Sequence, residues 1–385
     1  MNESKRIRSF QVGISWATEG AGGSGRVYAD LARYLPGAGV EFRGAVSAPE
    51  NVSQQTNGAI RCFTPGGGGF AGKLRGARTA IAQEIAQHKP DLVASHFALF
   101  VAPAIDLLRK QPYVVHFHGP WSAESAEEGA GGLSTTLKQW VEGSVYRRGD
   151  RVITLSQAFA GVAEHRYGVK PELIRIVPGA VDLERFGVAM TRAEAREAMG
   201  WPLDRRILVT VRRLVNRMGL ANLLDAIKEV VAREPDTVLY IAGKGRLKAQ
   251  LEQQITALGL TDHVKLLGFV ADAQLPLIYR AADLNVVPTL SLEGFGLVAA
   301  EALAAGTPSM VTPVGGLPEV VSGLSPDLVF ASSNTGDIAA GLIAALSGAT
   351  MLPSEAACRA YARKEFRAEL MAERTAAVYR ELTGS

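Results

Sequence analysis

Short apolar runs alternate with amphipathic stretches from Phe10 to Thr312. That alternation restricts the chain to parallel sheets wound with helices on both faces. In the first half it predicts strands at Phe10–Ser15, Phe42–Ser47, Leu92–Ser95, Tyr113–Phe117, Arg151–Leu155 and Ile174–Val177. In the second half it predicts Ile207–Val211, Val238–Ala242, Val264–Leu267, Leu284–Val287 and Ser309–Thr312. Between strands, Leu220, Leu223, Leu224, Ile227, Val230 and Val231 keep helical spacing with one buried stripe, and Arg26 to Tyr34 does the same through Val27, Leu31 and Tyr34. The patterning lapses between Gly179 and Pro202. A length of 385 residues suits two doubly wound α/β domains of roughly 180 residues each, expected at 1–185 and 186–365.

Composition narrows the function. Hydrophobic residues make up 47% and charged residues 21%, ordinary for a chain with large cores, and the net charge of +3 is too small to imply a nucleic-acid partner. No apolar stretch approaches the ~20 residues needed to span a bilayer. The segment after Lys5, Arg6 and Arg8 runs straight into a strand, without the apolar run and cleavage site of a secretory leader. Cys62 and Cys358 lack metal-ligand spacing and read as free thiols in a reducing cytosol. A cytoplasmic protein is expected.

The segment Ser291-Leu-Glu-Gly-Phe-Gly-Leu-Val-Ala-Ala-Glu301 carries the most chemistry. Phe295 and Gly296 are poor in a helix interior, whereas Leu297 to Ala305 is rich in Leu, Ala, Val and Glu, so a helix should begin near Gly296. Glu293 then lies in the preceding loop and Glu301 more than one turn inside, roughly 10 Å away. Between them is a helix N-terminus, whose free N–H groups suit a phosphate. Carboxylate, anion site, carboxylate matches sugar, diphosphate, ribose, because a carboxylate accepts hydrogen bonds from two adjacent hydroxyls.

Other groups fall at strand ends. Val114-Val-His-Phe-His-Gly-Pro-Trp121 places His116 and His118 on one side of a strand by period two, and spacing alone does not choose between them. His96 follows the Leu92 strand. Gly20-Ala-Gly-Gly-Ser-Gly25, between the first strand and first helix, satisfies G-x-G-x-x-G. A nicotinamide-dependent oxidoreductase is therefore an alternative, although the acid that should close the second strand is missing, Glu41 preceding it.

The run from Glu293-Gly-Phe-Gly-Leu to Glu301-Ala-Leu-Ala-Ala-Gly-Thr-Pro resembles the diagnostic motif of glycosyltransferase family 4. These are retaining, nucleotide-sugar-dependent enzymes of the GT-B fold, two Rossmann-like domains facing across a cleft. The resemblance implies that 366–385 forms a last helix crossing back to the first domain. It also implies that a hexose passes from a nucleoside-diphosphate sugar, a UDP-sugar first, to an acceptor hydroxyl on a glycan or lipid-linked carrier of bacterial polysaccharide or glycolipid synthesis. No metal or other cofactor is expected.

By the same resemblance, Glu301 holds the ribose, while Glu293 and the backbone at Phe295, Gly296 and Leu297 hold the sugar. His118 is favoured over His116 as the histidine at the transferred sugar. Gly22, Gly23 and Ser24 form a donor-facing loop, and Phe269 with Val270 frames the base. Val211-Arg-Arg-Leu-Val-Asn-Arg-Met-Gly219 resembles the family's G-R-L-x-x-x-K-G loop, whose cations hold the departing diphosphate. Arg213 matches its arginine, but Arg212 stands at the glycine and Met218 at the lysine. Arg217 and Lys244 are the candidate substitutes. With a cation missing, a non-catalytic sugar-nucleotide-binding protein is a further alternative. The turns Pro178 to Asp182 and Gly315 to Glu319 read as scaffolding. Lys73, Arg75 and Arg78 along a helix either touch an anionic membrane surface or form a solvated face.

Overall fold

The computed structural model describes residues 6–16, 23–66, 68–127 and 131–384. The chain divides into two units, Met1–Ala180 with Ala368–Ser385, and Val181–Arg367.

The first unit is built on seven parallel strands: β1 (Ile7–Val12), β2 (Val40–Val46), β3 (Ile60–Cys62), β4 (Leu92–Ser95), β5 (Tyr113–Phe117), β6 (Arg151–Thr154) and β7 (Ile174–Ile176). Their order is β3-β2-β1-β4-β5-β6-β7. β4 and β5 fall where the apolar pattern puts them. The edge strand β3 does not show in that pattern, because Ile60-Arg-Cys62 is too short to display an alternation. Helix α1 (Gly23–Tyr34) begins ahead of the expected Arg26. Glycine and serine are tolerated in a first turn because the N–H groups there have no intrahelical partner in any case. Helix α2 (Phe70–Gln87) follows β3. The last helix, Ala368–Thr383, belongs to this unit, where Ala368, Met371, Ala372, Ala376 and Tyr379 join Ile7, Val27, Leu31 and Val40 in one core.

The second unit holds five parallel strands: β8 (Arg206–Val211), β9 (Thr237–Ala242), β10 (Val264–Gly268), β11 (Leu284–Val287) and β12 (Ser309–Val311), in the order β10-β9-β8-β11-β12. Its helices include α3 (Leu220–Arg233), α4 (Leu275–Ala281) and α5 (Leu297–Ala304). In α3 the predicted stripe from Leu220 to Val230 is buried. Nearly continuous apolar sequences in β9 and β11 are what a sheet covered on both faces requires.

In both sheets the strand order reverses beside the first strand of the unit. β1 lies between β2 and β4, and β8 between β9 and β11. Loops leaving the carboxyl ends of the two central strands diverge at such a point and leave a crevice where ligands of these folds bind.

Candidate functional site

In the first unit the reversal point is occupied by histidines. Gln11 comes from β1, His96 directly follows β4, and His116 and His118 sit at the end of β5. The rings lie nearly parallel, with centroids 4.2 Å apart for His96 and His116 and 5.2 Å for His96 and His118. Period two thus places His116 and His118 on one side, and His96 from the neighbouring strand packs against both.

Hydrogen bonds order this stack. His96 Nε2 is 3.1 Å from Gln11 Oε1, and His96 Nδ1 is 3.0 Å from His118 Nε2. The Gln11 amide nitrogen donates to Ser9 Oγ and to the Tyr379 hydroxyl, which leaves its oxygen as the acceptor. His96 therefore carries its proton on Nε2, and its Nδ1 accepts from the N–H of His118 Nε2. His118 Nδ1 is then a bare lone pair, buried and without a partner among the described residues. His116 Nε2 is tied to the Tyr379 hydroxyl at 2.8 Å. Burial pushes all three imidazoles below their ordinary 6.5, His118 to about 4. All are neutral at physiological pH, so His118 offers a hydrogen-bond acceptor and no charge.

Of the predicted glycine loop, Gly22 lies outside the described residues. Gly23 and Ser24 lie in the first turn of α1 and not in a loop, where N–H groups have no intrahelical partner and small residues are tolerated. The oxidoreductase reading finds no acid at the end of β2, where Ala45 and Val46 are buried core.

In the second unit, β8 and β11 open into two loops that meet. The loop after β11 carries Glu293 and is fastened mainly through its backbone. Leu290 N donates to Arg217 O at 2.8 Å, Arg217 Nη1 to Leu292 O at 2.9 Å, and Gly316 N to Glu293 O at 2.9 Å. Gly315 has a φ of +56°, and a Cβ there would run into the Glu293 carbonyl, so only glycine lets that turn close on the loop. The turn from Gly315 to Glu319, read as scaffolding, braces the acidic loop directly.

Gly296 caps α5 in the left-handed region, with φ +95°, and the helix runs from Leu297 as the sequence predicts. Phe295 is buried against Phe366, with ring centroids 5.5 Å apart, so its side chain belongs to the core and only its backbone remains for a ligand. Ala299, Ala300, Ala302 and Leu303 bury α5 all round, and Glu301 is buried with them. A carboxylate so placed needs a partner. The Tyr279 hydroxyl of α4 donates to Glu301 Oε2 at 3.1 Å.

The cations fall differently from the sequence pattern. Arg213 is exposed just past β8. Met218 is buried, which explains how an apolar residue replaces the lysine of the pattern. Arg217 is turned onto Leu292, so its guanidinium holds the loop. Lys244 is exposed, with Nζ 4.2 Å above the Phe269 ring. Phe269 is itself 49% exposed, an aromatic face open at the end of β10, and Val270 beside it is half-buried.

Arg212, Thr289, Tyr279, Gln11 and Tyr379 are the participants that sequence reasoning does not single out. Only Arg212 left a signal, a charge where the pattern has glycine. Arg78 is ion-paired with Asp106 and donates to Pro103 O, so the proposed basic face of α2 is reduced to Lys73 and Arg75. Among the described residues no helix is long and apolar enough to cross a membrane. Cys358 is buried, its thiol pushed up to about 12 by desolvation.

The two sheets, with their order and connections, are those of the GT-B transferases. Sucrose-phosphate synthase from Thermosynechococcus elongatus superposes with a TM-score of 0.80 at 21% identity over 98% of this chain and 100% of that one. Anabaena HepE, solved with UDP, gives 0.78 at 20% identity over 97% and 100%. Sequence takes the comparison from fold to family. Residues 21–185 match Glycosyltransferase Family 4 and residues 191–365 match Glycosyl transferases group 1. D-inositol 3-phosphate glycosyltransferase 2 of Catenulispora acidiphila is 31% identical over 357 residues, 85% of this chain and 83% of that protein. The chain belongs to the family 4, group 1 glycosyltransferases. Mannosylfructose-phosphate synthase of Agrobacterium fabrum is 35% identical over 188 residues, 46% of this chain, and the match spans 41% of that relative's length.

Proposed function

We propose that the protein transfers a hexose, with retained anomeric configuration, from a nucleoside-diphosphate sugar to an acceptor hydroxyl on a glycan or lipid-linked carrier of bacterial polysaccharide or glycolipid synthesis. The observation that carries this reading is the second unit's reversal point. There a braced Glu293 and a Tyr279-bonded Glu301 flank the start of α5. Glu301 takes the ribose hydroxyls. Glu293 and the N–H groups at Phe295, Gly296 and Leu297 take the sugar and the adjoining phosphate. Arg213, with Lys244, neutralises the diphosphate as its bond to the sugar breaks. The exposed face of Phe269 stacks on the base, and Val270 borders it.

Uracil is the base of first choice, and HepE, solved with UDP-glucose, makes a UDP-sugar the natural first probe. His118 Nδ1 accepts a hydrogen bond from a hydroxyl of the transferred sugar, a role that suits a neutral imidazole. Gly22, Gly23 and Ser24 are assigned to the donor side as well. Among the described residues no carboxylate is assigned as a covalent nucleophile, so in this reading the departing phosphate takes the acceptor's proton as the acceptor attacks from the same face. The reaction so written runs on fixed cations and N–H donors and is proposed to be metal-independent. The protein is proposed to work in the cytoplasm, at the inner face of the membrane when its acceptor is lipid-linked.

A thermal-shift screen of UDP-, GDP- and ADP-sugars tests the donor assignment, followed by proton NMR of the product's anomeric configuration. No stabilisation by any nucleotide sugar, or an inverted product, would refute it.

A further inference from the structure

We infer that Arg212 positions Glu293 for the sugar end of the donor. This rests on the donor reading above and adds a residue that the family pattern does not supply, since that pattern has glycine there. Arg212 is the first residue beyond β8, and its side chain is buried, at 6% exposure. Its Nη2 donates to Thr289 Oγ1, just past β11, and to Glu293 Oε2. The pair therefore bridges the two strands between which the sheet order reverses. A buried guanidinium is costly unless paired, and its pairing fixes the geometry of both partners.

Both side-chain contacts of Glu293 fall on one oxygen. Thr289 Oγ1 lies 3.5 Å from Oε2, and no hydrogen bond among the described residues reaches Oε1. The carboxylate is thus held by one oxygen and presents the other, while Gly316 and Arg217 fix the backbone on either side of its Cα. A carboxylate on a glycine-containing loop would otherwise lose rotational freedom only when a ligand bound. Arg212 has removed that freedom in advance, which is how preorganisation raises affinity. The Nε of Arg212 is buried without a partner among the described residues, so the guanidinium is seated to bring Nη2 to Glu293 and Thr289 at the expense of its Nε donor.

Isothermal titration of the full chain with UDP and with UDP-glucose separates this role from a structural one, because Arg212 acts on the sugar end alone. Arg212→Ala should bind UDP within about twofold of wild type and bind UDP-glucose at least tenfold more weakly, with KM for the donor rising more than kcat falls. Arg212→Lys should recover part of that loss, keeping a charge without the fork. Should Arg212→Ala fail to fold, the lysine variant carries the test, with at least a threefold loss confined to UDP-glucose. Wild-type UDP-glucose affinity in these variants, or an equal loss for UDP and UDP-glucose, overturns the inference and leaves the donor reading standing. If the wild type binds UDP but no UDP-, GDP- or ADP-sugar, the donor reading falls and this inference with it.

Discussion

His96 Nδ1 lies 3.0 Å from His118 Nε2, and because Gln11 Oε1 accepts from the N–H on the other side of His96, one amide sets the tautomer of a histidine two strands away. The proton order runs from β1 through β4 to β5 without a charge appearing in it. The sugar-hydroxyl role proposed for His118 requires that order. Replacing His96 with leucine removes the acceptor and leaves His118 free to rotate. We expect kcat to fall about tenfold, the scale of one lost hydrogen bond to the transferred sugar, while UDP binds as in wild type. Steady-state kinetics beside a UDP titration check this, and an unchanged kcat would dismiss the relay.

The same three histidines make the fold acid-sensitive. Their folded pKa values lie below 6.5, so below that pH the unfolded chain binds protons that the folded chain refuses. Unfolding free energy then falls with pH by up to about 1.4 kcal/mol per pH unit for each histidine, between pH 6.5 and the His118 value of about 4. From about one pH unit above 6.5 all three are neutral in both states and contribute no slope. Urea unfolding at several pH values should show this slope, reduced by close to one proton in His118→Gln.

Glu301 is buried and bonded to Tyr279. Glu301→Gln keeps the shape and loses the charge. Donor affinity should drop by roughly ten- to a hundredfold, in line with about 1.5–3 kcal/mol for a charge-assisted bond. Tyr279→Phe removes only the orienting hydroxyl and should cost less. Calorimetric titration with UDP ranks the two, and a glutamine variant that binds UDP at full strength would contradict the ribose assignment.

Gly315→Ala adds one carbon where the Glu293 carbonyl already sits, at a φ that disfavours side chains. The loop must shift, so both stability and donor binding should suffer, the former by about 1–3 kcal/mol. Thermal unfolding and UDP-glucose titration together report it. Gly348, also at positive φ but with open space around it, is the control. Its alanine variant should lose stability alone.

Much of this was readable from the chain. β4, β5, β11 and the start of α5 follow from apolar alternation and from Gly296, because local preference and burial agree there. Edges were harder, since Ile60 to Cys62 is held by its neighbour β2 and not by its own pattern. Within the site, Glu293, Glu301 and the histidine pair stood out by type and spacing. Their partners did not. Tyr279 and Tyr379 look like ordinary core residues until the fold brings the first to Glu301 and carries the second back, over a separation of 368 positions, to Gln11. Arg212 was visible as an anomaly, yet only the meeting of the loops after β8 and β11 shows what it holds.

The acidic loop owes its shape to peptide groups and to a glycine turn, with the arginines at 212 and 217 as its main side-chain anchors. Such a scaffold tolerates changed decoration where the side chain is not an anchor: Leu290 is 37% exposed and tied to Arg217 through its backbone N–H. Retuning which sugar is accepted should therefore begin at that place, leaving the frame beneath it untouched.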